Sequence, residues 1–113
     1  MTNDIDRQVA FEVMKYADYR DGRAAKPVPI GDSIEGIIDI DFDWIEWTPS
    51  TDIGQAMMVA DRMRFELDYR ITITGGRQNW SVVFGVRGAD LIEPVVNEDL
   101  PAAICQAALK AVE

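Results

Sequence analysis

Asp39, Asp41 and Asp43, with Glu46 three residues on, form the densest group of oxygen ligands in this 113-residue chain. Hard cations such as calcium take several carboxylate oxygens at once. The spacing belongs to a different object, however. The acids alternate with Ile38, Ile40, Phe42 and Trp44, a period of two, and the glycine of an EF-hand-type loop is missing. The expectation is therefore a strand with one apolar and one acidic face, solvated on the acidic side and placed at an edge or protruding, where charge blocks strand addition. No metal is assigned to it.

Other chemistry has less to work with. There is no histidine, which removes Ser-His-Asp and Cys-His catalysis and the commoner zinc sites. The single cysteine, Cys105, sits among Ala and Ile without a basic neighbour, so it reads as a buried structural thiol. Nothing marks a carboxylate pair with separated pKa values. No enzyme is expected, and no cofactor.

Gly75-Gly76-Arg77 has the parts of a short anion-binding loop, two permissive backbones followed by a guanidinium. Arg70 and Arg87 fall on the polar faces of the flanking strands and could join it. P-loop and dinucleotide spacings are absent, and a hairpin turn with positive φ at the glycines is the plainer reading. Of the three tryptophans, Trp80 alternates with Val82 and Phe84 and belongs to the core. Trp44 and Trp47 lie three apart and cannot share a strand face, so one of them is a candidate contact residue beside Asp39, Asp41, Asp43 and Glu46.

The elements that hold these residues follow from periodicity. Ile5, Val9 and Val13 predict a helix over 3–19. Residues 21–36, with Gly22, Pro27, Pro29, Gly31 and Gly36, read as a long loop or arm. After the strand at 37–46, Pro49 with a Ser50 or Thr51 cap opens a helix running to about Arg64. Alternation at 67–73 and 80–86 gives an antiparallel hairpin. Asn97 to Asp99 opens an Ala-rich last helix with Pro101 in its first turn. The expected fold is one α+β domain over 1–113. An antiparallel sheet of three or four strands is packed by N-terminal, central and C-terminal helices, in the manner of an α/β/α sandwich.

Composition narrows the class. The chain is 48% hydrophobic and 27% charged, within the globular range. A net charge of −9 argues against nucleic-acid binding. No Lys or Arg occurs between Lys26 and Arg62, an interval that holds eight acids. No membrane span or leader is expected, which suggests a cytoplasmic protein.

The order of elements resembles the phage ABA sandwich domain family. The resemblance is carried by the opening helix Asp4 to Met14, by Ser50-Thr51-Asp52-Ile53 and its helix, by Trp80-Ser81-Val82-Val83-Phe84, and by Leu100 to Leu109. It implies a bacteriophage or prophage origin, a host-cell cytoplasmic setting and helices on both sheet faces. It implies no reaction. The function expected is that of an accessory protein acting by binding. One form is capture of a small polar ligand, such as a nucleotide signal, through Arg70, Gly75, Gly76, Arg77 and Arg87. The other is antagonism of a basic host or phage protein by the 32–52 acidic stretch, with Asp39, Asp41, Asp43, Trp44, Glu46 and Trp47 in contact, in the manner of a DNA mimic. A homo-oligomer is compatible with either.

Overall fold

A computed structural model describes residues 2–34, 37–85 and 93–112. The element order is α1 (Thr2–Gln8, continued by a π-turn Val9–Val13), β1 (Asp18–Arg20), β2 (Arg23–Ile34), β3 (Ile37–Glu46), α2 (Ile53–Asp61, continued by a π-turn Arg62–Glu66), β4 (Arg70–Gly75), β5 (Trp80–Gly85), β6 (Val95–Asn97) and α3 (Leu100–Val112). The fold is α+β, with two antiparallel three-stranded sheets ordered β1-β2-β3 and β4-β5-β6.

The first helix is shorter than its apolar periodicity suggests. Lys15 takes φ 58 and Tyr16 N donates to Ala10 O, which stops the helix. Ala17 N then donates to Ala25 O and starts the first sheet. Asp21 and Gly22, at φ 51 and 79, make the two-residue turn of a hairpin whose right-handed twist needs positive φ at both positions.

The segment 21–36, expected as a loop, is mostly β2. Its prolines are tolerated for a geometric reason. Ala25 points its backbone oxygen at β1, and Pro27 and Pro29 share its parity on the strand. Their missing N–H groups therefore face the edge that β1, ending opposite Ala25, leaves open. Paired with β3, β2 forms a ribbon about 40 Å long at ordinary strand rise. The molecule is correspondingly elongated, 54 × 35 × 21 Å, with a radius of gyration of 15.5 Å, against about 13 Å for a compact chain of this size.

The second sheet has one dry and one wet face. Ile71, Ile73, Val82, Phe84 and Val95 pack toward α3, whereas Arg70, Thr72, Thr74 and Val96 are exposed. Among the described residues the helices therefore lie over a single face of this sheet. α3 crosses the dry face with Ile104, Ala107 and Ala108 buried, and α2 and α1 pack against α3. The core contains Val9, Val13, Trp47, Val59, Met63, Val82, Phe84 and Ile104. Tyr69, the last residue before β4, ties the layers by donating its hydroxyl to Ala111 O. No helix among the described residues is long and apolar enough to cross a membrane.

The start of α2 differs in detail from the sequence reading. The cap is Asp52, whose carboxylate accepts from Gln55 N at 3.1 Å, and Ser50 instead turns its backbone amide into the core. The alternation from Leu67 becomes a strand only at Arg70, because the π-turn runs to Glu66 and Asp68 takes φ 60.

Candidate partner-binding site

The β2–β3 ribbon is built on the row Tyr19, Ala24 and Ile45, which the register aligns across three strands and which packs on the core. Ile45 and Trp47 have the same parity, so Trp47 also turns inward. It is fully buried, meets Tyr16 edge-on at 5.1 Å and donates its indole N–H to Asp6 O at 3.1 Å. The neighbouring parity must then face outward. Trp44, opposite Ala25, is 45% exposed, and Phe42, opposite Pro27, is 51% exposed.

This resolves the choice between the two indoles: Trp44 is at the surface, and Trp47 is a core residue with no exposed face to offer a partner. It also reverses a simple reading of the alternation. The ring-bearing face of β3 is the outward one, and Asp43 shares its parity with the core-facing row. Asp43 is exposed all the same, opposite the exposed Lys26, which lines an open cleft between β2 and the α1 and α2 region with Met14, Tyr16 and Met58. Asp39 and Asp41 occupy register positions opposite Ile30 and Val28.

At the base of the outward face Arg20, Arg23 and Glu46 stand in one row. Arg20 Nε is 3.0 Å from Asp18 Oδ2, and Asp18 Oδ1 accepts from Tyr19 N. Arg20, Asp21 and Arg23 line an open hollow of about 390 Å³ with Trp44 as its remaining wall. An exposed indole beside guanidinium groups, continued by Phe42, is a surface able to bury rings and aliphatic chains while satisfying charged neighbours. No sequence pattern marked Arg20 and Arg23 for it, although Asp21-Gly22 announced the turn that presents them.

The residues expected to hold a small polar ligand are not brought together. Arg70 pairs with Gly85 and Gly75 with Trp80, at opposite ends of the β4–β5 hairpin, about 17 Å apart by strand rise. Neither Gly75 nor Gly76 has a positive φ, and Gly76 N is spent on Asn79 O at 2.8 Å. Gly75 serves close approach instead: a Cβ there would lie 3.1 Å from the Trp80 ring. Trp80 is 38% exposed, a correction to its expected place in the core, since it lies at the end of β5 beyond Val82 and Phe84. Arg77 is exposed in the loop after β4. Arg87 lies outside the described residues.

Cys105 is buried in α3. Burial, with a further push from the charge of Asp6, raises its thiol to about 12, so the thiolate is suppressed at neutral pH.

A model of the phage ABA sandwich domain family matches residues 7–109. Among solved structures, the chain is similar to a phage protein from Bacillus cereus ATCC 14579, determined as a crystal structure at 2.0 Å. The TM-score is 0.63 and the identity 22%, with 99% of this chain and 92% of that one covered. At that identity the likeness concerns the fold. No curated protein matches.

Proposed function

The chain belongs to the phage ABA sandwich domain family, and from that premise we propose that it is a non-enzymatic accessory protein that works by binding a basic protein through its β2–β3 ribbon. The carrying observation is the contrast between two indoles three residues apart. Trp47 is sealed in the core, whereas Trp44 stands 45% exposed beside an exposed Phe42. Large rings exposed on a projecting ribbon are what a partner surface consists of.

Charge supports the class of partner. β3 and the part of β2 beyond Lys26 lie in the interval from Lys26 to Arg62, which contains eight acids and no internal base, while Arg20 and Arg23 confine positive charge to the base of the ribbon beside Trp44. A negative field steers basic proteins toward the ribbon, and the rings supply the apolar anchor. The setting is the cytoplasm of a bacterial host. Capture of a small polar ligand by the Arg70 and Gly75–Arg77 set is the less favoured reading, because that set spans the length of a hairpin.

The test is affinity capture with immobilised wild-type protein, the D39N/D41N/D43N variant and W44A. The expected result is a basic host or phage protein retained at low salt, released by high salt, and lost on either variant. Retention unaffected by both variants, or thermal stabilisation by a nucleotide that R70A or R77A abolishes, would contradict it.

A further inference from the structure

α2 and its π-turn are apolar on two sides. Ala56, Val59, Ala60 and Met63 are buried against the core, yet Ile53, Met57 and Met58 are exposed and Phe65 is 74% exposed. At about 100° per residue, Ile53, Met57, Asp61 and Met58 fall within one outer face roughly 140° wide. The wider π-turn carries Phe65 onto the same face. An ordinary surface helix keeps that side polar, so this one has an uncovered interface.

We infer that the outer face of α2 packs against the same face of a second copy, with the two helices antiparallel. Area is the first support. The four apolar side chains leave roughly 100 Å² each, roughly 400 Å² together, which is the size of patch that marks an interaction surface. Covering it on two copies removes roughly 800 Å² of apolar surface, the scale of a weak, reversible association rather than an obligate one.

Charge is the second support and sets the direction. Exposed Asp52 caps the start of the helix, and exposed Arg64 stands near its end, its guanidinium 5.0 Å from the Phe65 ring centre. A two-fold interface repeats the same patch on both sides. The antiparallel arrangement sets Arg64 of each copy toward Asp52 of the other, Phe65 beside Ile53, and the helix dipoles in opposition. A parallel arrangement would face Arg64 with Arg64. Part of this face, Met58 and Phe65, borders an open cleft of about 450 Å³ whose far wall is Lys26 and Pro27 of β2.

The full chain in analytical ultracentrifugation tests the inference. Expected are a dimer in the micromolar range, a dissociation constant weakened about 100-fold or more by M57E and by F65E, and a dimer retained in W44A. Far-UV circular dichroism of the two variants should match wild type, because both positions are already exposed. A mixture of I53C and F65C chains should cross-link on mild oxidation, whereas I53C alone should not; Cys105 is buried and does not compete. A monomer throughout the range, dimers unaffected by M57E and F65E, or cross-linking of I53C with itself would each overturn it, as would a patch that retains only an unrelated protein.

Discussion

Asp6 and Ser50 are 44 residues apart in sequence and joined by a 2.9 Å hydrogen bond, the Ser50 amide donating to Oδ1 of a side chain only 1% exposed. The Asp6 backbone carbonyl accepts from Trp47 as well. One residue of α1 therefore holds two points of the turn between the ribbon and α2, the inward indole of Trp47 and the amide of Ser50.

Burial raises the Asp6 carboxyl above its ordinary range, and the hydrogen bonding at Ser50 only partly opposes this. A native state that prefers the protonated acid binds more protons than the unfolded chain. Its contribution is complete below the unfolded pKa of about 4 and is lost as pH rises through the higher native value. D6N keeps the acceptor without the charge. It should be more stable than wild type at neutral pH, with the advantage shrinking toward pH 4. D6A should lose about 1–3 kcal/mol, the cost of an orphaned buried amide. Urea melts across that pH range check both signs.

The two neighbouring indoles should contribute unequally. W47A removes a fully buried ring and should cost about 3–5 kcal/mol. W44A, which removes a ring only 45% exposed, should cost clearly less, about 1–2 kcal/mol. Equilibrium denaturation separates them, and equal losses would mean that Trp44 is packed in the body and that the ribbon does not project.

Gln55 ties the first turn of α2 to the ribbon, accepting from Thr48 N at 2.6 Å and donating to Glu46 O. Q55A should lower stability by about 1 kcal/mol or somewhat more. It should also speed hydrogen exchange at Thr48 while leaving exchange in β4 and β5 unchanged.

Cys105, buried and held protonated, should react with a thiol reagent only when the chain unfolds. Its modification rate should follow global stability across denaturant, and fast labelling of native protein would contradict the placement of α3.

Much of the fold was legible in the residues. The alternation through Ile71, Ile73, Val82 and Phe84 specifies the second hairpin, and Pro101 after Asn97-Glu98-Asp99 specifies the start of α3. What escaped was mostly a matter of competing signals. The apolar period at Tyr16 continues past Lys15, where a positive φ ends the helix. Asp21-Gly22 reads equally as a helix stop and as a two-residue hairpin turn, and the choice decides whether β1 exists. Pro27 and Pro29 look like strand breakers until their shared parity toward an open edge is known.

The candidate site was half legible. That one of Trp44 and Trp47 must be exposed follows from spacing alone, but which one depends on Asp6 and on the parity of Ile45, both set by tertiary packing. Separation defeated the ligand reading. Arg70 and Gly75–Arg77 share a hairpin in sequence, yet strand length holds them at its two ends.

The most direct test of the ribbon as the working surface is site-specific photocrosslinking inside the host cell. A benzophenone amino acid would be placed at position 44 and, as control, at position 72 on the wet face of the second sheet. A ribbon that binds a basic protein should give a discrete adduct with that protein from position 44, absent from position 72 and absent when Asp39, Asp41 and Asp43 are replaced by Asn. No adduct from position 44, or the same adduct from both positions, would contradict it.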